Sequence, residues 1–195
     1  MFQKEIELIK SKIEILLKEK KNKIIVIAID GMTGSGKTTL ANELSELYNS
    51  PIFHADDFFL PMELRTNSRL NEPGGNIDYE RMKEEIIDKL IIGKENDVIK
   101  YKPYICKNQN FGEEKTLSLN KVNLVEGSYC LNPYFGKYYD ISIFLKIDEK
   151  LQIERLRKRS PTMINNFLNK WIPLEKKYHD FYHIYENCDI KFYYY

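Results

Sequence analysis

The sequence has little of what marks a secreted, metal-rich or membrane-spanning protein. Its 195 residues include three cysteines, three histidines and one tryptophan. The cysteines, Cys106, Cys130 and Cys188, are scattered and odd in number, so they build neither a disulfide framework nor a zinc-ligand spacing. We therefore predict reduced thiols and a cytoplasmic location.

A long apolar run and an excess of one charge are also missing. The longest apolar run, residues 24–29, is far too short to span a bilayer. Thirty basic residues face twenty-nine acidic ones, a formal net charge of +1. This balance predicts neither nucleic acid nor an anionic membrane as the main partner. The first residues, Met-Phe-Gln-Lys-Glu, suit neither a secretory signal nor a transit peptide.

The composition is that of a globular protein, with 43% hydrophobic and 30% charged residues. The length predicts a single domain over residues 1–195, without repeats or a linker. It begins with an amphipathic helix within residues 1–21, because apolar side chains recur there at steps of three and four. The mixed charge of its polar face favours packing on the domain over a membrane surface.

Strand and helix patterns alternate along the rest of the chain, which predicts an α/β fold with a mainly parallel sheet. Residues 60–77 look like a loop, and residues 94–121 look like short strands and turns. Gly93 is placed to end the helix predicted over residues 78–90. The predicted strands of the sheet are residues 23–29, 51–54, 122–125, 141–145 and 189–193. The predicted helices are residues 37–48, 78–90, 149–159 and much of 161–187.

A phosphate-binding motif follows the first buried strand. Gly31-Met-Thr-Gly-Ser-Gly-Lys-Thr38 fits G-x-x-x-x-G-K-[ST], a loop whose backbone N–H groups cradle phosphates ahead of a helix N-terminus. Lys37 would contact the β- and γ-phosphates, and the Thr38 hydroxyl would ligate Mg²⁺. The predicted nucleotide-binding residues are Gly31, Met32, Thr33, Gly34, Ser35, Gly36, Lys37, Thr38 and Thr39.

Nucleotide binding alone does not define the reaction, because P-loops serve kinases, GTPases, motors and transporters. Acids that end two other predicted strands narrow the choice: Asp56 and Asp57 follow the second strand, and Glu126 follows the third. Transfer of a phosphoryl group to a hydroxyl needs a carboxylate near the attacking oxygen and oxygen ligands for Mg²⁺. Turn formation or helix capping is the alternative role for Asp56 and Asp57.

Several segments resemble, in this order, the signatures of uridine kinase and its bacterial relatives, a grouping shared with phosphoribulokinase and pantothenate kinase. They are the loop Gly31 to Thr38, His54-Ala-Asp-Asp-Phe-Phe-Leu-Pro, Asn76-Ile-Asp78, Tyr101-Lys-Pro-Tyr104 and Glu126-Gly-Ser-Tyr. The resemblance covers residues 23 to about 160, and it implies a doubly wound P-loop NTPase fold with five strands in the order 2-3-1-4-5 and a short lid.

The resemblance also implies roles for single residues. Asp56 matches the catalytic base and contributes to the metal site, and Glu126 matches the acid that positions magnesium together with Thr38. Asp78 matches an acid that binds the ribose hydroxyls of a nucleoside, and Tyr104 matches an aromatic residue near the base. Helix capping by Asp78 and packing by Tyr104 are the alternatives. Asp57 is assigned to the substrate, although relatives often have a small residue there.

The chain departs from the family pattern in two places. Residues 105–110 lack the histidine of relatives that phosphorylate uridine, which puts a pyrimidine preference in doubt. The lid, residues 153–162, is compact, with Arg155 and Arg159 as candidates for neutralising the transferring phosphoryl group and Arg157 for nucleotide contact. A solvated basic helix end is the alternative. Glu175 and Lys170-Trp171 match positions that flank the site in uridine kinase-like proteins.

These residues predict an ATP- and Mg²⁺-dependent kinase that phosphorylates a hydroxyl of a small, nucleoside-like molecule, with a homo-oligomer left open. One alternative keeps the chemistry but changes the acceptor to a pantothenate-like compound, a sugar phosphate or an antibiotic. Another is a nucleotide-dependent switch or binding module with little transfer activity. A GTPase switch is disfavoured because Asn120-Lys-Val-Asn123 lacks the aspartate that closes the guanine-reading element.

Overall fold

The computed structural model describes residues 2–195 as an α/β domain with nine strands and nine α-helices. The strands are β1 (Ile25–Gly31), β2 (Ile52–His54), β3 (Val98–Tyr101), β4 (Tyr104–Ile105), β5 (Asn110–Phe111), β6 (Lys115–Ser118), β7 (Val122–Glu126), β8 (Ile141–Ile147) and β9 (Ile190–Tyr194). The helices are α1 (Gln3–Glu19), α2 (Lys37–Tyr48), α3 (Asn67–Asn71), α4 (Tyr79–Met82), α5 (Asp88–Ile92), α6 (Glu149–Arg159), α7 (Ile164–Asn166), α8 (Ile172–Phe181) and α9 (Ile184–Asn187).

Five strands form the central sheet in the order β2-β7-β1-β8-β9, and all neighbours in it are parallel. Counted along this sheet alone, the order is 2-3-1-4-5. From β1 the chain passes to the edge strand β2 and then back to β7, which lies between β2 and β1. It then crosses to β8 and β9 on the other side of β1, so the strand order reverses beside β1. In sheets of this kind, ligands bind at such a reversal, outside the carboxyl ends of the strands.

Helices cover both faces of the sheet, and β1 shows how its residues divide between them. Ile25, Ile27 and Ile29 join the core beneath α1 and α2, whereas Val26 and Ala28 join the core that contains the α4–α5 region and α8. All seven residues of β1 are buried. A strand covered on both faces is apolar along most of its length, here from Ile25 to Ile29, so the continuous run in the sequence was the correct signal.

The predicted N-terminal helix is confirmed as α1, which packs on the domain. Ile9 and Ile13 of α1 are fully buried, and Phe2 is nearly so. In residues 2–195, no helix is both long and apolar enough to cross a membrane.

Two local predictions change in detail. Residues 60–77 contain the short helix α3, which Thr66 caps by accepting from the Arg69 N–H, rather than loop alone. Gly93 does end its helix, but with extended backbone (φ −66°, ψ 154°) and not the left-handed conformation of a glycine cap. A Cβ there would lie 2.5 Å from Leu119 Cδ1, so close packing is what demands glycine.

The predicted strands and helices of the remaining chain are confirmed, with shifted ends. The helix predicted over residues 78–90 is not continuous α-helix, because the π-helical segment Lys83–Ile87 separates α4 from α5. A second π-helical segment, Phe167–Trp171, separates α7 from α8. The stretch predicted as a lid comprises the end of α6 and the 3₁₀ turn Pro161–Met163.

Candidate active site

The phosphate-binding loop joins β1 to α2, and its glycines adopt backbone conformations that other residues avoid. Gly31, Gly34 and Gly36 have φ values of 142°, 77° and 103°. A Cβ on Gly31 would lie 2.3 Å from the carbonyl oxygen of Leu145 in β8. The loop therefore needs glycine both for its left-handed turns and for its close approach to the sheet.

Side chains hold the carbonyl groups of this loop. Lys37 Nζ donates to the Gly31 carbonyl at 2.8 Å and to the Met32 carbonyl at 3.2 Å. From α6, Gln152 Nε2 donates to the Thr33 carbonyl at 2.8 Å, and Arg155 donates to the two carbonyls that follow, at 3.2 and 3.3 Å. The N–H groups of Gly31, Met32, Thr33 and Ser35 are bonded within the protein as well, so those of Gly34 and Gly36 are the loop donors left for an anion.

The N-terminus of α2 supplies further donors. The first bond of its ladder runs from the Leu40 N–H to the Gly36 carbonyl. The N–H groups of residues 37–39 precede that ladder, and such groups, with the positive end of the helix dipole, bind phosphate. The start of α2 thus presents the donors on which the predicted anion site depends, and anion binding there remains a prediction.

Glu126 ends β7, beside both β1 and β2, and its side chain meets two predicted partners. Thr38 Oγ1 lies 3.2 Å from Glu126 Oε1, and His54 Nδ1 lies 2.6 Å from the same oxygen. The Glu126 residue is 5% exposed. The hydrogen bond to Glu126 raises the pKa of His54, although burial opposes it. Thr38 and Glu126, predicted to hold the metal together, are therefore adjacent.

Asp56 lies on the 3₁₀ turn Ala55–Phe58 that follows β2. The residue is exposed, yet surrounding protein displaces enough water for burial to raise the pKa of its carboxyl to about 6. The charge of Lys37 opposes this shift, whereas Glu126 and Glu175 add to it. The Asp56 carboxyl is therefore close enough to Lys37 of the phosphate loop and to Glu126 to be affected by their charges, and its role as a base remains a prediction.

Comparison with known proteins agrees with this geometry, although no family model matches the chain. The chain is 33% identical over 131 residues to uridine-cytidine kinase D of Dictyostelium discoideum, a match that covers 67% of this chain and 25% of that protein. It is 29% identical over 170 residues to cytidylate kinase of Methanococcus aeolicus, covering 82% of this chain and 80% of that protein.

Among solved structures, a possible uridine kinase from Bacillus stearothermophilus has a TM-score of 0.63 at 21% identity, and the match covers 94% of this chain and 98% of that one. At this identity the likeness concerns the fold. The chain is similar to uridine kinase-like P-loop kinases in sequence and in fold. It spans about a quarter of the length of the Dictyostelium relative.

The three predicted substrate residues of this uridine kinase-like chain already have partners within the protein. Asp78 caps α4 through the Arg81 N–H at 3.2 Å and pairs with Arg81 Nε at 3.3 Å. Tyr104 is buried, and its hydroxyl accepts the Met62 N–H at 3.2 Å. The Asp57 carboxylate accepts from side chains of β3 and β6, which pair as a separate two-stranded antiparallel sheet, called here the β3–β6 hairpin. Their contacts with an acceptor remain predictions.

The three arginines of the predicted lid differ in placement. Arg155 lies on the phosphate loop, where it holds carbonyl groups. Arg157 is exposed, and the Arg159 guanidinium lies 5.5 Å from the ring centre of Phe167. Arg155 is thus the one that the structure brings to the nucleotide loop, while roles in catalysis for Arg155 and Arg159 remain predictions.

A carboxylate from α8 reaches the same loop. Glu175 Oε2 accepts the Thr33 N–H at 2.8 Å, and Glu175 Oε1 accepts from the Ser128 hydroxyl. The resemblance placed Glu175 near the site, but neither it nor periodicity indicated Gln152, which donates to the Thr33 carbonyl. Both side chains are buried on helices far along the chain from the loop. The only sequence signal for their role is a polar residue at a helix position that faces inward.

Asp30, just before the loop, is a further residue that the sequence did not single out. Its fully buried carboxylate accepts from the Gly31 N–H at 2.6 Å, the Leu131 N–H at 3.2 Å and the Tyr178 hydroxyl at 3.0 Å. His179 Nε2 lies 3.4 Å from Asp30 Oδ1. These bonds tie the end of β1 to α8, so the position of Glu175 depends on the Asp30 network.

The donor set fits Mg²⁺. Thr38 and Glu126 offer hard oxygen ligands beside the phosphate loop, and Asp56 faces the same cleft. Among residues 2–195, no group of three or more histidine, cysteine, aspartate and glutamate side chains is arranged to hold a metal by itself. Proteins commonly bind Mg²⁺ through one or two side-chain oxygens together with phosphate oxygens and water.

The Glu175 contact predicts a difference between two substitutions. Both Glu175→Gln and Glu175→Ala remove a negative charge near the triphosphate, but the glutamine keeps an acceptor for the Thr33 N–H. We expect the alanine variant to bind Mg-ATP about tenfold more weakly than the glutamine variant, the effect of one hydrogen bond. Titration with a fluorescent ATP analogue measures both, with exposed Glu186→Ala as control. Equal affinities would show that the contact does not shape the loop.

Proposed function

We propose that this protein is an ATP- and Mg²⁺-dependent kinase that transfers the γ-phosphate to a hydroxyl of a nucleoside-like small molecule. The observation that carries the proposal is twofold: Thr38 Oγ1 lies 3.2 Å from Glu126, and the charges of Lys37 and Glu126 both act on the Asp56 carboxyl at the carboxyl end of β2. A phosphate-binding loop facing a carboxylate of raised pKa is what transfer to a hydroxyl requires.

In this proposal the protein contributes position and charge. The amides at the start of α2 and the Lys37 ammonium hold the β- and γ-phosphates and stabilise the charge that develops on them. Thr38 and Glu126 would hold Mg²⁺, which neutralises phosphate charge when bound. The Asp56 carboxylate accepts the proton of the attacking hydroxyl, so that oxygen can form its bond to the γ-phosphorus as the bond to ADP breaks.

A nucleoside fits the acceptor side better than a nucleotide or a sugar phosphate. Two cations border the Asp56 turn, and each is engaged by an acid: Arg81 pairs with Asp78 at 3.3 Å, and Lys115 pairs with Asp57 at 2.7 Å. A phosphate on the acceptor would have to break such a pair to gain a partner. The relatives are named as a uridine-cytidine kinase and a cytidylate kinase, so their names alone do not distinguish a nucleoside acceptor from a nucleotide. The engaged state of Arg81 and Lys115 is what favours the nucleoside.

Acceptor-dependent release of ADP tests the proposal. The full chain with Mg-ATP or Mg-GTP is offered nucleosides, nucleoside monophosphates, pantothenate-like vitamins, sugar phosphates and antibiotics in turn. We expect a nucleoside to accelerate ADP release and to appear as its monophosphate. Nucleotide hydrolysis that no acceptor accelerates would instead favour the switch or binding module.

The raised pKa of Asp56 predicts how the rate depends on pH. A general base must be ionised, and the pKa of Asp56 is about 6. Bound Mg-ATP adds charges that shift this pKa, so at saturating Mg-ATP kcat/KM for the acceptor should rise tenfold per pH unit while Asp56 is protonated and level off once it is ionised. A stopped assay of product from pH 5 to 8 measures this profile. A flat profile would contradict Asp56 as the base.

A further inference from the structure

The 3₁₀ turn Ala55–Phe58 directs three consecutive side chains to three different surroundings. Asp56 is exposed, Asp57 is half-buried and Phe58 is fully buried. Consecutive residues of a 3₁₀ helix lie about 120° apart around its axis. The direction in which Asp57 is held therefore sets the direction of Asp56.

The end of the β3–β6 hairpin holds the Asp57 carboxylate. The Tyr101 hydroxyl donates to Asp57 Oδ2 at 2.9 Å, and Lys115 Nζ donates to the same oxygen at 2.7 Å. Tyr101 and Lys115 lie directly opposite each other in the register of β3 and β6. One rung of the hairpin thus supplies both donors.

The hairpin and α4 also grip the neighbouring groups of the turn. The Tyr101 ring stacks on Phe58, with ring centres 5.3 Å apart and planes 25° apart. Arg81 of α4 makes two further contacts with the turn. Its guanidinium is 4.3 Å from the Phe58 ring centre, and its Nη2 donates to the Asp57 carbonyl at 3.2 Å. The Asp57 carboxylate, the Phe58 ring and the Asp57 carbonyl are all held, and Asp56 lies between them and the charges of Lys37 and Glu126 that act on its carboxyl.

The Asp57 pair is shielded more than an ordinary surface pair. The side chains of Asp57 and Lys115 are 15% and 40% exposed, whereas those of Lys100 and Glu114, 3.4 Å apart on the same hairpin, are 60% and 46% exposed. Burial, followed by the charge of Asp57, raises the pKa of Tyr101, so its hydroxyl keeps the donated proton at neutral pH. Exposed ion pairs contribute little to stability. The exposed Lys100–Glu114 pair therefore serves as a control for the shielded Asp57–Lys115 pair.

We propose that Asp57 is a positioning residue, held by Tyr101 and Lys115 so that the adjacent Asp56 carboxylate faces the acceptor hydroxyl. This role rests on the proposed kinase function and replaces the direct substrate contact that the sequence predicted for Asp57. It makes the β3–β6 hairpin, which lies outside the central sheet, part of the machinery that orients the base.

Kinetics of single and paired substitutions test the role. Asp57→Ala, Lys115→Ala and Tyr101→Phe should each lower kcat about tenfold, because a displaced base loses its alignment, while KM for acceptor and for Mg-ATP stays unchanged. The Asp57→Ala/Lys115→Ala double variant should be no slower than Asp57→Ala, since both remove one contact. Lys115→Arg should recover most of the rate, and Lys100→Ala should match the wild type.

Two kinetic results would overturn the proposal. A raised acceptor KM in Asp57→Ala, with Lys115→Ala as fast as the wild type, would make Asp57 a substrate ligand. A Lys115→Ala variant indistinguishable from Lys100→Ala would show that the hairpin contact has no effect on the base.

Hydrogen exchange of the ligand-free chain separates this role from the proposed function. The amides of residues 55–58 should exchange about tenfold faster in Lys115→Ala than in the wild type or in Lys100→Ala, because the turn loses its anchor. Unchanged exchange in a chain with acceptor-dependent activity would overturn the positioning role alone. A wild-type chain without such activity would overturn the proposed function, and this role with it, whatever the exchange rates.

Discussion

Replacing Lys37 with alanine is expected to lower turnover about a thousandfold, the size seen when a group that stabilises transition-state charge is lost. Lys37 holds the Gly31 and Met32 carbonyls at 2.8 and 3.2 Å in the ligand-free loop, so its ammonium already lies within the phosphate cradle. A bound triphosphate offers it a stronger, charged acceptor than a carbonyl. Phosphoryl transfer under saturating Mg-ATP and acceptor measures the loss.

The control is Lys158→Ala, which removes an exposed lysine paired with Glu154 on α6. It should be as active as the wild type, because exposed pairs contribute little. Lys37→Arg keeps the charge but presents a planar fork where a compact ammonium fits, so it should recover only part of the rate. Turnover of Lys37→Ala within tenfold of the wild type, with an unchanged thermal transition, would remove the phosphate loop from the reaction.

Replacing Asp56 with asparagine is expected to lower turnover about a thousandfold, within the range for loss of a general base. Asparagine is similar in shape but does not accept the hydroxyl proton. Mg-ATP binding should persist or tighten, because a negative charge near the triphosphate is removed. Product formation and nucleotide titration measure the two effects, with exposed Asp88→Asn on α5 as control. Unchanged turnover would move the role of base to another residue.

The same substitution should stabilise the fold at neutral pH. The pKa of Asp56 is about 6 in the folded chain and near 3.8 when unfolded, so the folded state binds the proton more tightly. The ionised carboxylate therefore costs stability above pH 6, and this cost disappears as pH falls towards 3.8. Asp56→Asn should melt higher than the wild type at pH 7 and equally at pH 4. A lower melting temperature at pH 7 would contradict this sign.

How much of the site could be predicted depends on how far apart its parts lie in the sequence. The phosphate loop was readable because its chemistry is local: three glycines with positive φ, a lysine and a threonine within eight residues, between an apolar strand and a helix. Asp56 and Glu126 were readable because each directly follows a strand, and parallel strands of one sheet end at the same edge. The sequence also predicted α1 and the strands of the sheet, through apolar periodicity.

Contacts between distant segments had no such local signature. Glu175 reaches the loop at Thr33 across 142 residues, and Lys115 reaches Asp57 across 58. A glutamate on a helix and a lysine on a hairpin are usually solvated, and nothing in their neighbourhoods marks them as partners of the loop or the turn. The sequence by itself determined which groups perform the proposed chemistry. Only the tertiary packing of α6, α8 and the β3–β6 hairpin decided how the loop and the Asp56 turn are oriented. The reason is that the direction of a side chain depends on the neighbouring elements that contact it.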